Sequence, residues 1–344
     1  MHLHRTTTLF DPGEIRTQSG GPFMVYSPFA RAGRARGAPP LPLPAPTHIA
    51  GAPLPRGDTL ESWNLLPTKP DWAGRFRETW IPGEAEARRR LARIVADVVP
   101  RYDATRNLPA RPGTSMLSPY LHWGEISSGD VWRAVEAAGA GRGSEVFLNE
   151  VLWREFSKHL LWHNADLPER ELRPEFRNMP WRTDPRTLKA WQRGRTGVPI
   201  VDAGMRQLWA IGWVHNRVRM IVASYLVKHL MIAWQEGEAW FWDTLVDADL
   251  ASNSASWQWV AGSGADAAPF FRIFNPVLQG KKFDPDGAYV RRWVPELAAL
   301  PDAFVHAPWD APAPPGAYPK PLIDLSAGRA RALDAFRSLP RAAT

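Results

Sequence analysis

From residue 84 onward apolar side chains recur at helical spacing, and strand-like alternation is nearly absent after residue 60. The clearest run, Val218, Ile221, Val222, Tyr225 and Leu226, follows the i, i+3, i+4, i+7, i+8 pattern of an amphipathic helix. A half-buried strand needs a period of two, so this pattern excludes a sheet as the body of the chain. One helix is predicted near Glu84, after Pro82-Gly83, with Leu91, Ile94, Val95 and Val98 on one face. Another begins around Ser127, where Ser127 and Asp130 have capping spacing ahead of Val131, Trp132 and Val135. A longer one runs from about Ser144 to His163 and buries Leu148, Val151, Leu152, Phe156 and Leu160. Pro199 precedes a helix containing Met205 and Leu208, and a short helix near Ala327 to Leu339 closes the chain. The expected fold class is mainly α.

The N-terminal part reads differently. Phe23 to Tyr26 is a candidate short strand leading into Ser27-Pro28, and seven prolines between Ala38 and Pro55 mark an extended linker. Thirty-odd residues cannot build a parallel sheet with its crossover helices, so the first segment reads as an arm or the tail of something larger. A second proline-rich stretch spans Pro301 to Pro321, and no internal repeat is visible.

Composition narrows the chemistry. No run approaches 18 apolar residues and the N-terminus has no apolar stretch of signal-peptide length, so no membrane partner is expected and the expected address is the cytoplasm. The absence of cysteine excludes disulfides, thiol chemistry and cysteine-ligated iron–sulfur or zinc sites. Lys plus Arg exceed Asp plus Glu by seven, which favours a polyanionic partner. The 18 tryptophans exceed ordinary packing needs; indoles also stack on flat rings and carry electron holes.

Four segments combine groups able to do chemistry. In Thr114-Ser-Met-Leu-Ser118-Pro-Tyr-Leu121, three hydroxyls follow Gly113 just before an apolar turn, a place for either phosphate oxygens or an ordinary cap. Glu150, Trp153 and Arg154 lie at i, i+3 and i+4, so acid, indole and guanidinium share a helix face. That set suits a planar base beside a phosphate, or a plain ion pair next to a half-buried indole. The run from Gly204 through Trp213, His215, Asn216, Arg217 and Arg219 to Met220 packs more donors than a helix start requires. Between Asp247 and Trp259 short polar side chains dominate, and a loop lining a pocket is predicted. No third hard ligand completes a metal site with Asp247 and Asp249. His159 and His163 lack the glutamate of HExxH and read as structural, so no metal is expected.

Taken together, these segments resemble the photolyase/cryptochrome family, in its order and near its spacing, from about Tyr26 to the C-terminus. The nearest branch comprises bacterial enzymes that repair cyclobutane pyrimidine dimers. The most specific stretch runs from Gly204 through Asp249, Asn253 and Trp257-Gln-Trp259 to Gly264-Ala-Asp266-Ala-Ala-Pro-Phe-Phe-Arg272-Ile-Phe-Asn-Pro276. The resemblance implies a helical FAD-binding domain and light-driven dimer repair by electron transfer from photoexcited reduced FAD to a flipped-out dimer. It assigns the flavin phosphates and sugar to Tyr102, Thr114, Ser115, Leu117 and Ser118, with Arg154 nearby. Asp247 and Asp249 would meet the ribityl and ring portions, and Asn253 the reactive nitrogen of the central ring. Glu150, Trp153, Asn216 and Met220 would line the cavity for the dimer, while Arg217 and Arg272 hold backbone phosphates. Trp257, Trp234 and Trp181 would carry electrons from the surface to the flavin. Asn216 follows His215 where (6-4) photolyases and animal cryptochromes usually carry a second histidine, which favours cyclobutane dimers.

Family members begin with an α/β domain that often holds an antenna chromophore. Here the expectation is a remnant of that domain over residues 1–37, a proline-rich linker over 38–60 and the helical catalytic domain over 61–344. No folate or deazaflavin antenna is expected, and a monomer acting on damaged DNA is. Asn107 stands where many relatives have Asp, and Ser254 where some have a second Asn. Two rival readings share these residues: a cryptochrome that signals instead of repairing, and a helical DNA-binding protein that has lost its flavin. Retention of Glu150, Trp153 and Asn216 favours repair over signalling, and a colourless protein with intact helical circular dichroism would favour the flavin-free reading.

Overall fold

The helical periodicity is realised through most of the chain in the computed structural model, which describes residues 7–44, 46–53, 56–65, 69, 71–267 and 271–340. Glu84–Asp97 forms a helix that buries Ala87, Leu91 and Ile94. Ser127 caps Ser128–Ala137 by accepting from the Asp130 N–H at 3.0 Å. Pro199–Ile211 and Leu325–Arg337 are helical as the pattern predicts. Among the described residues there is no β-strand. Leu54 and Pro55 of the linker and Ala268 to Phe270 lie outside the described residues.

Six helices build the frame around the site. They are α1 (Tyr26–Arg34), α2 (Tyr102–Thr105), α3 (Arg142–His163), α4 (Asn216–Ser224), α5 (Trp234–Thr244) and α6 (Leu250–Ala261). Helix α3 is central: α1, α2 and α6 all pack on it, and α6 also touches α4 and α5. A π-helical stretch, Tyr225–Leu230, prolongs α4.

Two sequence expectations are corrected here. The strand over Phe23 to Tyr26 is absent, because α1 starts at Tyr26. Pro28 lies in its first turn, where a fixed φ and a missing N–H cost nothing, and an isolated strand has no ladder partner. The loop predicted between Asp247 and Trp259 is largely α6, with Asp249 as its N-cap accepting from the Ser252 N–H at 2.9 Å. This helix buries Ala251, Asn253, Ser254, Trp257 and Gln258, so it has no polar side to reveal a period.

Two main hydrophobic clusters fill the interior. One gathers Trp191, Trp234, Phe241 and Trp257 with the apolar face of α4. The other joins Phe147, Leu148, Val151, Leu152 and Phe156 of α3 to Leu9, Phe10, Ile15 and Phe29. Polar ties fasten the N-terminal arm to the same helix. The Leu9 N–H donates to the Glu155 carboxylate at 2.8 Å, and the Phe23 N–H to His159 Nε2 at 3.0 Å. His159 Nδ1 meets the Pro12 carbonyl at 3.0 Å, a structural use of that histidine.

Candidate functional site

Glu150 and Trp153 face the site from α3. The Glu150 carboxylate pairs with Arg106 at 2.7 Å. Burial pushes its pKa up, while Arg106 and Arg217 oppose the shift. Trp153 has one face covered by Tyr26, whose ring is parallel to it at 3.7 Å. Arg154 turns away from this set. Its guanidinium donates to the Thr7 carbonyl, to Ser128 Oγ at 2.9 Å and to the Leu121 carbonyl at 3.1 Å. The shared face inferred from i, i+3, i+4 spacing is thus divided by tertiary partners: fixed carbonyls hold the arginine, and a distant arginine holds the acid.

Helix α4 supplies the next group. His215 caps it, Nδ1 accepting from the Arg217 N–H at 3.1 Å. Burial and the neighbouring Arg217 and Arg219 charges bring the His215 pKa down to about 4. Asn216 is exposed at the helix start and Met220 is half-buried one turn on. Arg217 directs Nε and Nη2 at Asn107 Oδ1, 3.2 and 2.8 Å away, and lies 4.6 Å from the Phe283 ring centre. Burial lowers its pKa, with Arg106 and Arg272 adding repulsion and Glu150 attraction. Arg106, Glu150, Arg217 and Arg272 therefore form one electrostatic group.

The carboxylates before α6 each hold a cation. Asp247 accepts two bonds from Arg219 Nη2, at 3.0 and 2.8 Å. Asp249 accepts from Lys158 at 3.0 Å. Asn253 is buried, and its amide donates to the Glu238 carbonyl at 3.0 Å. The Glu238 side chain is bonded by the Ser254 hydroxyl, and burial pushes its pKa up to about 7. A folded pKa above the unfolded value means that this contribution to stability is full below about pH 4.3 and is lost as pH rises through about 7. Glu238→Gln, which stays neutral, is expected to gain melting temperature relative to wild type on going from about pH 5 to about pH 8. A difference in melting temperature that does not change with pH would contradict the assignment.

The hydroxyl segment leads into the short helix Ser118–Trp123. Gly113 is required there, since a Cβ would fall 2.6 Å from the Thr105 carbonyl oxygen. Met116 has φ +52°, and Ser115 Oγ accepts from the Leu117 N–H at 3.3 Å, so the chain curls sharply. Thr114 and Ser115 keep partly exposed hydroxyls, while Ser118 Oγ accepts from Trp213 Nε1 at 3.3 Å. Tyr102 is buried, its ring edge-on to Phe147 at 5.0 Å, which places it in the core below the segment.

Trp257 and Trp234 are buried in one cluster and Trp181 packs on its edge. Trp257 meets Phe241 at 5.0 Å and Trp191 at 6.2 Å, and Trp234 Nε1 donates to Glu171 at 3.0 Å. No ring contact among the described residues joins two of the three predicted tryptophans directly. Gly237 makes room for this arrangement, because a Cβ would lie 2.1 Å from the Trp257 ring.

Sequence reading overlooked several partners. Lys158 stands eight residues after Glu150 and four after Arg154, a spacing that marks a shared helix stripe but not its partner Asp249. Arg219 stands three residues after Asn216 in a segment already singled out. Arg106 and Tyr26 had no local signal, for they reach the site only through packing of α2 and α1 on α3. The donor set fits a flavin dinucleotide: a curled hydroxyl loop for phosphates, charge-neutralised carboxylates for hydroxyls, and a buried amide on α6. Among the described residues no group of three His, Cys, Asp or Glu could hold a metal.

Residues 147–338 match the family model described as the FAD binding domain of DNA photolyase. A deoxyribodipyrimidine photo-lyase of Agrobacterium fabrum is 49% identical over 97% of this chain and 72% of its own. Cryptochrome-1 of Arabidopsis thaliana is 35% identical over 96% of this chain and 52% of its own. The crystal structure of a bacterial class III photolyase from Agrobacterium tumefaciens superposes with TM-score 0.93, covering 97% of this chain and 72% of that one.

Proposed function

This chain belongs to the photolyase/cryptochrome family, and from that premise we propose that it binds FAD and uses light to reverse cyclobutane pyrimidine dimers in DNA. The observation that carries the reading is the electrostatic group in which Arg106 and Arg217 act on one carboxyl, Glu150, with Arg272 acting on Arg217, beside the indole of Trp153. Guanidinium groups at such a place hold backbone phosphates, which makes binding salt-dependent and sets the strand's register. A crosslinked dimer stacks poorly, so extruding it costs less than flipping a sound base. Trp153 offers it a flat apolar wall, and Glu150 a hydrogen bond for charge arriving on the bases.

Thr114, Ser115, Ser118 and the Leu117 N–H are the groups for the flavin phosphates. Asp247 and Asp249, held by Arg219 and Lys158, orient the ribityl and ring portions. Asn253 addresses the central ring from α6, and the cluster of Trp257, Trp234 and Trp181 is the route for electrons from the surface. When bound, FAD supplies the light-driven electron donor, and the protein contributes geometry and electrostatics. Arg154 acts from behind, fastening α3 to the residues around Thr7, Leu121 and Ser128.

The test uses purified protein supplied with FAD and reductant, mixed with an oligonucleotide carrying one thymine dimer. Intact thymines are counted after blue or near-ultraviolet light against a dark control. Light-dependent restoration is expected. Bound reduced flavin without restoration would overturn repair and leave the cryptochrome-like photoreceptor, a reading that the similarity to Cryptochrome-1 of Arabidopsis favours.

A further inference from the structure

We infer that Lys228 is a positioning residue for the DNA-binding face: its buried amine, helped by Ser224, clamps the segment from Phe271 to Phe274 and so fixes the place of Arg272 relative to Arg217. The inference rests on the repair reading above, in which both arginines hold backbone phosphates. Lys228 lies in the π-helical stretch that prolongs α4 and is wholly buried. Its Nζ donates to the Ala261 carbonyl at 2.5 Å. Ala261 ends α6, where carbonyls lack partners within the helix and the dipole favours a cation. The same Nζ stands 3.2 Å from the centre of the Phe271 ring. The Phe336 ring, on the closing helix Leu325–Arg337, lies parallel to Phe271 at 4.5 Å. An amine and a ring thus fix Phe271, the residue next to Arg272. Charged or neutral, the amine has protons to donate, so the hold does not depend on its charge.

One turn before Lys228, Ser224 Oγ accepts from the Phe274 N–H at 3.3 Å. Arg272 is therefore flanked by two holds on its own segment. Both come from one continuous helical run whose first turn carries Arg217. Lys228, Ser224, Arg272 and Phe274 line one small cavity, while the Arg272 side chain is exposed, 5.8 Å from the Trp259 ring centre. Arg217 and Arg272 repel each other, which helps to lower the Arg217 pKa. Like charges stay close only where the fold holds them. The local costs argue against a lysine kept for packing alone. Among the described residues no carboxylate pairs with Lys228, and burial puts its pKa well below the ordinary value. A π turn is a rare winding, and Met231, which ends it, has φ +57°. A methionine at position 228 would fill similar space without burying an amine. Strain and a buried amine gathered at one point mark a functional constraint, and the contacts identify that constraint as the seat of Arg272.

Lys228→Met keeps the length of the side chain and deletes the donor. Dissociation constants of the flavin-loaded chain for a dimer-bearing duplex would be measured over a range of salt, with flavin absorption as control. Arg272→Ala is expected to weaken binding about tenfold and to reduce the slope of log affinity against log salt by about one. Lys228→Met should weaken binding about three- to tenfold with the same smaller slope, and should add less than about twofold once Arg272 is alanine. Ser224→Ala, a milder change that stands in if Lys228→Met loses its flavin, should weaken binding about two- to threefold, again only while Arg272 is present. Wild-type affinity in Lys228→Met, or in Ser224→Ala where it stands in, would overturn the positioning role alone. A loss that adds in full to that of Arg272→Ala would do the same. Wild-type affinity and slope in Arg272→Ala would overturn the phosphate contact on which the role depends, and a wild-type chain that binds no DNA would overturn the repair reading with it.

Discussion

Glu150→Ala is expected to lower dimer repair per absorbed photon by about ten- to a hundredfold, the range spanned by losing one charge-assisted hydrogen bond. The carboxyl is held at 2.7 Å by Arg106 and feels Arg217, yet burial pushes its pKa above the ordinary carboxylate range. Truncation removes the group proposed to face the bases and leaves Arg106 without its partner. Glu150→Gln keeps a donor and an acceptor of the same shape and should retain most of the yield. Photoreduction of the flavin should be unchanged in both variants, because the tryptophans proposed to serve it lie in a separate cluster. Counting repaired thymines per photon, alongside flavin reduction under light without DNA, decides the matter. Equal yields in the wild type and the Ala variant would remove Glu150 from the mechanism. The raised pKa has a sign that can be checked. If the neutral acid is the donor, repair falls as pH rises through the folded pKa, and Glu150→Gln flattens the fall.

Asp249→Ala is expected to cost about 3–5 kcal/mol of stability, because it leaves a largely buried lysine without its counter-charge. Losing the N-cap of α6 adds about 1 kcal/mol. Burial raises the Asp249 pKa, but Lys158 and the Ser252 N–H outweigh it and hold the carboxyl below its usual range. A lowered folded pKa gives stability that is present above about pH 3.9 and lost as pH falls through the folded value. Asp249→Ala should therefore lose its deficit relative to wild type in acid. Combining it with Lys158→Met should recover a good part of the loss, since the orphaned charge is gone and only the cap remains missing. Urea unfolding of the four species, with flavin per chain measured in each, closes the cycle. A double variant as unstable as Asp249→Ala would show that the ion pair is not the source.

Asp249 also illustrates how far local pattern carries. Its segment, rich in Ser, Ala and Asn, predicts a loop by composition, and the aspartate is in fact a helix cap. A helix buried on several sides loses the polar–apolar contrast on which periodicity depends. Where one side stays wet, as in Glu84–Asp97 or Arg142–His163, boundaries read from sequence lie within a few residues of those observed.

What the sequence by itself determined is the helical class, the positions of several of the longer helices, and which residues are candidates for the chemistry. Those properties are local: side-chain period, capping spacing and motif order act over a few turns of chain. Tertiary structure alone decided which charges meet. Arg106 reaches Glu150 across 44 residues, Arg219 reaches Asp247, Lys158 reaches Asp249, and Arg154 is drawn away to the carbonyls of Thr7 and Leu121 and the hydroxyl of Ser128. Tyr26, read from sequence as the end of a strand, instead opens a helix and covers Trp153. The reason is physical. An ion pair or a ring stack depends on distance in space, which is set by how α1, α2 and α6 pack on α3 and α4 on α6, and no short stretch of sequence contains that distance.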